Sequence, residues 1–489
     1  MLRRLVRGRT LASMTRTIPQ NPLVAIIGAT GTGKSDLAVS LAKRYNGEIV
    51  NGDAMQLYAG LPIITNKITV QEQQGIPHHL LGCIGLEEQT WVVGTFVQRA
   101  LEVIEGIRER GRLPILVGGT HYYTQSLLFH DRLAGGVNAE DGEGIIAESE
   151  RKEWPMLQEP TEVLLEELKK VDPVMAGRWH PNDRRKIQRS LEIYLRTGKK
   201  ASDLYAEQRL RKTALSHRAG NEGDGDGDVD LSSSSIMRFP TLIFWVHAEA
   251  EALRERLDSR VEKMLAVGLL DEVRTLNAFA QAQEGQNRPV DDTRGIWVSI
   301  GYKEFKSYVD ALESGRTADP ELEKLKAEAV DRTKAATRQY AKRQMRWIRI
   351  KFINSLAEAD AADKLYLLDG SDASSFEQNV VQPASEMTQQ FLQACSMPDP
   401  TSTSALAATQ LVPKRSYDLS AAPKRWTKQH CEVCDVTCVI EDQWVQHVKS
   451  RTHRRLVSKR KQLSVPHGLG GDGEKSTTYC EGISTPGEG

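Results

Sequence analysis

The sequence predicts an α/β fold: a parallel sheet built around a phosphate-binding loop, with a helical insertion in it and a small cysteine–histidine module after it. Three observations predict this. The first is Leu23-Val24-Ala25-Ile26-Ile27-Gly28-Ala29-Thr30-Gly31-Thr32-Gly33-Lys34-Ser35, an apolar run that enters a G-x-x-x-x-G-K-S turn and leaves it as a helix with Leu37, Ala38, Leu41 and Ala42 on one stripe. Strand, glycine turn and helix in that order are the context that makes the motif a phosphate site. The second is a pair of apolar runs, Leu113 to Val117 and Thr241 to Val246, that read as strands covered on both faces. The third is Cys431-x2-Cys434-x12-His447-x5-His453.

Gly28, Ala29, Thr30, Gly31, Thr32 and Gly33 supply a backbone that can curl its N–H groups toward anionic oxygens. The following helix adds the partial positive charge of its N-terminus. Lys34 brings a full charge, and the Ser35 hydroxyl suits a Mg2+ ion that bridges two phosphates. A di- or triphosphate is therefore the expected ligand.

At 489 residues the chain is long enough for several domains, and no apolar run is long enough to span a bilayer. Its 65 basic and 65 acidic residues cancel, so partners have to be read from local charge. Three of the six cysteines fall within eight positions, a spacing that favours a metal over a disulfide framework.

Taken in order, residues 1–20 hold five arginines and no acid, interleaved with Leu2, Leu5, Val6 and Leu11, the composition of a mitochondrial targeting segment. Met14 offers a second start, which would leave one pool in the mitochondrion and another in the cytoplasm or nucleus. After the phosphate loop, Ile49 and Val50 read as a strand that ends at Gly52. Ligands of open α/β sheets sit at the carboxyl ends of strands, so Asp53 falls beside the phosphates. By itself Asp53 is equally a reacting carboxylate or a helix N-cap. His78 and His79 lack partners at ligand spacing and read as structural. A helix is expected over Trp91 to Arg110, and Gly118 and Gly119 then permit a close approach or a tight turn.

The core is expected to span 21–124 and 236–355, interrupted by a helical insertion at 125–219 and an acidic, disordered loop at 220–235. Within the insertion, Arg184, Arg185, Lys186 and Arg189 share a helix with the apolar Ile187, Leu191 and Ile193. A basic run is most often a solvated face, yet here it adjoins a phosphate-binding core and suits a nucleic acid. Helices are expected over Glu249 to Leu265 and over Asp331 to Ile350. The second mixes seven basic residues with Tyr340 and Trp347, a combination suited to RNA phosphates and unstacked bases. Residues 370–422 read as a linker and 463–489 as a disordered tail. In the module at 424–462, Cys431, Cys434, His447 and His453 have the ligand spacing of a structural Zn2+ site, which makes it a C-terminal zinc finger. Cys438 is off register. The basic collar of Lys424, Arg425, Lys428, Lys449, Arg451, Arg454 and Arg455 argues for nucleic acid, with protein docking as the alternative.

Seven segments carry a resemblance in order: Gly28 to Ser35, Asp53-Ala54-Met55-Gln56, Ile64-Thr65-Asn66-Lys67, Pro77-His78-His79-Leu80, Pro114 to Thr120, Ile300-Gly301-Tyr302-Lys303-Glu304 and Tyr340-Ala341-Lys342-Arg343-Gln344. Over roughly 20 to 355 the chain resembles the tRNA dimethylallyltransferases (tRNA isopentenyltransferases), and the zinc finger looks like the eukaryotic branch. Ala54 stands where the family commonly has Ser, and the acidic stretch near residue 225 is an insert.

The resemblance implies a P-loop NTPase-like enzyme that moves a dimethylallyl group from dimethylallyl diphosphate to N6 of adenosine 37 in the tRNA anticodon stem-loop. Asp53 would be the base. Lys34, Thr30, Ser35 and Mg2+ would stabilise the leaving diphosphate, and Arg260 would reach it too. Contacts to tRNA fall on Asp53, Ala54, Met55, Gln56, Thr120, Arg185, Lys186, Ile187, Gln188 and Arg189. A monomer with no membrane partner is expected. A P-loop small-molecule kinase and a non-catalytic RNA-binding zinc-finger protein are the alternatives.

Overall fold

A computed structural model describes residues 18–129, 154–207, 237–315, 320–413 and 428–463. Residues 1–17 of the expected targeting segment, the acidic loop at 220–235, Lys424 and Arg425, and the tail beyond 463 lie outside the described residues.

The described residues divide into two compact units, one holding 18–129, 154, 203–207, 237–315 and 320–413, the other 155–202 and 428–463. The first is built on a six-stranded sheet in the order β3-β2-β4-β1-β5-β6, with β1 Leu23–Gly28, β2 Gly47–Asn51, β3 His78–His79, β4 Leu113–Val117, β5 Thr241–His247 and β6 Leu365–Asp369. All pairings are parallel: Val24 lies opposite Ile115 on one side and Leu242 on the other. Every residue of β1 and β5 is buried, as expected for a parallel sheet covered on both faces.

Helix α1 (Lys34–Arg44) follows β1 directly and buries Leu37, Ala38, Leu41 and Ala42. Helix α2 (Val93–Glu109) buries Phe96, Ala100, Ile104 and Ile107. Helix α3 (His121–Leu128) follows β4. It places Leu127, Leu128 and Phe129 in the main core, so the expected start of the insertion at 125 is too early.

The second unit contains α4 (Thr161–Val171) and α5 (Arg184–Thr197). They bury Leu164, Leu165 and Leu168 of α4 with Ile187, Leu191 and Ile193 of α5. The Asp183 side chain caps α5 by accepting from Lys186 N at 3.2 Å. The unit also holds the C-terminal module, a hairpin of β7 (Gln429–Cys431) and β8 (Val436–Cys438) followed by α11 (Glu441–Lys449) and α12 (Arg451–Leu463).

Back in the first unit, β5 leads into α6 (Ala250–Ala266), α7 (Leu269–Gly285), α8 (Tyr302–Glu313) and the long α9 (Pro320–Trp347). The segment expected as a linker from 370 is different in kind. Strand β6 extends the sheet and α10 (Gln382–Leu392) follows it, burying Ala384, Ser385 and Thr388. Small and polar residues fill the fully buried positions of α10, and Met387, Phe391 and Leu392 complete its core-facing stripe from half-buried positions, which leaves the apolar signal of its sequence weak. The core therefore runs past 355 to at least Leu411, which packs into the main cluster.

Candidate active site

The phosphate loop lies between β1 and α1. Gly31 and Gly33 adopt φ of 84° and 87°, and Gly33 caps α1. A Cβ on Gly28 would stand 2.4 Å from the Val246 carbonyl oxygen, so the loop can lie against β5 only with glycine there. Thr32 Oγ1 donates to Ala29 O at 2.9 Å, and Lys34 Nζ donates to the same carbonyl at 2.6 Å. Burial pulls the Lys34 ammonium down to about 8, with Arg260 acting the same way and Asp53 opposing.

Asp53 leaves β2 at its carboxyl end. Its Oδ1 accepts from Met55 N at 3.0 Å, and the Gly119 and Gln56 backbones also hydrogen-bond to the carboxylate. The Asn51 side chain holds the turn from both sides, accepting from Asp53 N and donating to Asp53 O, each at 3.0 Å. Burial raises the Asp53 carboxyl above its ordinary value, while these amides and Lys34 restrain the rise. The two readings of Asp53 are thus one geometry. The carboxylate caps the short turn Met55–Leu57 and at the same time faces the charge of Lys34.

Arg260 comes from the middle of α6. Its Nη1 donates to Thr30 Oγ1 at 2.8 Å, its Nε is buried without a partner, and burial brings its guanidinium down to about 10 against the pull of Asp53. Thr120 Oγ1 accepts from Ala54 N at 3.0 Å. Lys34, Asp53 and Arg260 therefore share one electrostatic site, walled by the loops after β1, β2 and β4.

Gln344 and His121 carry no role in the sequence reading, and Tyr340 enters it only as an aromatic on an RNA-facing helix. Gln344 on α9 accepts from Thr30 N through Oε1 and donates to Gly119 O through Nε2, both at 2.8 Å. Tyr340, one turn earlier, hydrogen-bonds to the Thr120 and Gln344 side chains, and its burial beside Asp53 pushes its hydroxyl well above the ordinary value. His121 opens α3 with both ring nitrogens buried and unpartnered, and burial near Lys34 lowers its imidazole to about 3. One signal for Gln344 was legible: Ala329, Thr333, Thr337, Ala341 and Gln344 form the buried stripe of α9, and a buried amide on such a stripe needs partners.

The basic helices divide. On α9, Arg338 Nη1 contacts both Asp258 oxygens at 2.5 and 2.7 Å and Lys334 pairs with Glu262, while Arg332, Lys342, Arg343 and Arg346 are exposed. On α5, Arg185 and Lys186 are exposed, and Gln188 and Arg189 reach Glu192. Ile187 is fully buried, which corrects its assignment as an RNA contact: its side chain holds the helix in its unit. In the C-terminal module, the ligand atoms of Cys431, Cys434, His447 and His453 all lie within 4.8 Å of one another, and His447 Nε2 is buried without a partner. Cys438 is buried outside this group. Two thiolates and two imidazoles this close can hold a metal ion. Among the described residues, no helix is long and apolar enough to cross a membrane.

A curled loop of amides with a lysine at its end, an arginine on its threonine and a capped carboxylate opposite define a P-loop α/β enzyme that handles an anionic phosphorylated substrate. Two family models match, IPP transferase over residues 56–351 and isopentenyl transferase over 21–89. The chain is 36% identical to a tRNA dimethylallyltransferase of Schizosaccharomyces pombe, covering 90% of this chain and 96% of that one. It is 35% identical to a human tRNA dimethylallyltransferase, over 93% and 89% of the two chains. A solved structure of a eukaryotic dimethylallyltransferase acting on tRNA superposes with a TM-score of 0.69 at 32% identity, covering 91% of this chain and 98% of that one. The chain belongs to the tRNA dimethylallyltransferase family.

Proposed function

We propose that the protein transfers a dimethylallyl group from dimethylallyl diphosphate to N6 of adenosine 37 in tRNA. The observation that carries this reading is the placement of a single capped carboxylate, Asp53, in the field of Lys34 and Arg260. The phosphate loop amides, Lys34, Arg260 and Thr30 hold the diphosphate. The bond between the allylic carbon and the bridging oxygen breaks, and its electron pair leaves with the diphosphate, where the same groups stabilise it. The N6 nitrogen forms the new bond to that carbon, and its proton passes to Asp53. The amine is a poor nucleophile until bonding begins and its proton turns acidic only as the bond forms, so a carboxylate raised above its ordinary pKa by burial can take it. Adenosine 37 has to leave the anticodon stack to reach the pocket. Thr120 and the backbone of Ala54, tied together at 3.0 Å, line that side.

Ser35, in the first turn of α1, offers the hard oxygen that suits Mg2+ beside substrate phosphates, and the bound ion would neutralise part of the diphosphate charge. Zn2+ fits the donor set of Cys431, Cys434, His447 and His453 as a structural ion. The exposed Arg185 and Lys186, with the basic residues of α12, supply phosphate contacts for the anticodon stem. The arginine-rich start of the chain would target part of the protein to the mitochondrion, which deletion of residues 1–13 would abolish.

The test incubates the protein with Mg2+, labelled dimethylallyl diphosphate and unmodified tRNA, followed by nucleoside analysis. Label in N6-modified adenosine is expected. Release of phosphate from ATP with no label transfer would instead support a small-molecule kinase. Asp53→Ala should abolish transfer and leave tRNA affinity within a few-fold; retained transfer would remove Asp53 as the base.

A further inference from the structure

We infer that Gln344 is a positioning residue that sets the spacing between the leaving-group loop and the base; the inference rests on the transfer reaction proposed above. Gln344 is 4% exposed and both ends of its amide are committed. Oε1 takes the Thr30 N–H, and Nε2 gives to the Gly119 carbonyl, each at 2.8 Å. Those partners lie 314 and 225 positions away in the chain. Thr30 belongs to the loop that would grip the diphosphate, and its hydroxyl also receives Arg260. Gly119 belongs to the turn whose backbone hydrogen-bonds to Asp53. One amide therefore joins the two halves of the reaction centre from a third element, α9.

The orientation of that amide is forced. Rotated by half a turn, it would set its NH2 against the Thr30 N–H and its oxygen against the Gly119 carbonyl. Space is equally committed: a Cβ on Gly119 would stand 2.4 Å from Gln344 Nε2 and 3.0 Å from Asp53 Oδ2. Tyr340 braces the amide from the preceding turn and hydrogen-bonds to Thr120 as well. Gln344 spends both ends of its amide on backbone partners. It acts by fixing where the diphosphate grip and the carboxylate stand relative to each other.

Such a role separates turnover from binding. Each substrate keeps its own contacts when the amide is lost, whereas alignment of the attacking nitrogen, allylic carbon and base is degraded, and misplacements on the ångström scale cost about 100-fold in rate. The experiment compares wild type, Gln344→Leu, Gln344→Glu and Gly119→Ala in steady-state transfer, with thermal unfolding of each. Thr333→Val is the control, because the Thr333 hydroxyl sits on the same buried stripe and donates only to Ala329 O of its own helix, at 2.8 Å.

The expected result for Gln344→Leu is a fall in kcat of about 100-fold with KM for both substrates within threefold. Gly119→Ala should do the same from the other side of the contact, and Thr333→Val should keep wild-type kcat. Gln344→Glu keeps an acceptor for Thr30 N but sets an oxygen against the Gly119 carbonyl in place of the donor, so its kcat should fall at least as far as that of Gln344→Leu. Gln344→Leu within threefold of wild-type kcat overturns the inference, as does a loss confined to KM. Should Gln344→Leu fail to fold, Gln344→Glu decides by the same split. If wild type transfers no label, the proposed reaction fails on its own account, before any variant is compared.

Discussion

Lys34 gives the sharpest test of how the phosphate loop is charged. Its ammonium stands at about 8 in the free protein, against an ordinary 10.5, chiefly because it is buried. That difference corresponds to roughly 3 kcal/mol of electrostatic cost for keeping the buried lysine charged at neutral pH. A diphosphate in the loop supplies the missing counter-charge and should return the group to at least its ordinary value. Binding then takes up a proton: about 0.1 per site at pH 7, about 0.5 at pH 8 and about 0.9 at pH 9, from simple titration. Affinity should weaken about tenfold between pH 7 and pH 9 for the same reason. Calorimetric titration of dimethylallyl diphosphate without tRNA, in two buffers of different ionisation enthalpy, counts these protons. The Lys34→Arg variant, whose guanidinium stays charged throughout, should show almost none. Uptake near zero in wild type at pH 8 and 9, or undiminished uptake in Lys34→Arg, would refute the argument.

Further outcomes follow from the same charges and contacts. Lys34→Met should raise the stability of the ligand-free protein at pH 7 by about 1 to 2 kcal/mol in urea unfolding, the relieved burial cost less the hydrogen bond to Ala29 O, while abolishing donor binding. The sign is set by a depressed lysine: its cost is present in full below pH 8 and fades as pH rises toward 10.5, so the gain should shrink over that window. Glu48 behaves oppositely. It is buried with Arg110 at 2.7 Å, Arg112 at 3.2 Å and His79 at 2.6 Å, and its carboxyl is held down to about 2, first by the Arg110 hydrogen bond. Its stabilisation, roughly 3 kcal/mol by linkage, is full above pH 4.5 and lost as pH falls through about 2. Glu48→Gln should therefore differ from wild type at pH 7 and converge with it near pH 2 in denaturant unfolding. Cys431→Ser, or chelation, should unfold the module at 428–463 and weaken tRNA binding and its salt dependence, with transfer at saturating tRNA retained. Binding unchanged across a salt series would remove the module from the RNA surface.

How far the sequence carries depends on how local each feature is. The loop from Gly28 to Ser35 is legible because positive φ, a helix N-terminus and a lysine must follow one another along the chain. The strands Leu113–Val117 and Thr241–His247 are legible because burial on both faces leaves continuous apolar runs. The four metal-ligand residues are legible because a tetrahedral site in a small module requires short spacings. Helix α10 is less so, since Ala384, Ser385 and Thr388 fill its fully buried positions and only Met387, Phe391 and Leu392 add apolar signal to the stripe. The reading of α9 as an RNA-facing helix fails in part for a related reason. Charge along a sequence does not say what faces it, and Lys334 and Arg338 meet Glu262 and Asp258 of α6.

Least legible is what makes the site a unit. Gln344, Thr30 and Gly119 come from three distant parts of the chain, and so do Arg260 and Thr30. Nothing in a local pattern assigns them to each other. What a sequence can offer is a mismatch: a glutamine where the stripe of α9 calls for an apolar residue. A buried amide with four hydrogen-bonding positions is costly unless it is met, so such a mismatch implies partners without naming them. Here the partners are the two loops whose separation decides whether a leaving diphosphate and a waiting carboxylate can act on the same pair of atoms. The helix that looks from its charges like an outer surface for RNA thereby also carries, on its inner face, the residue that holds the reaction centre in register.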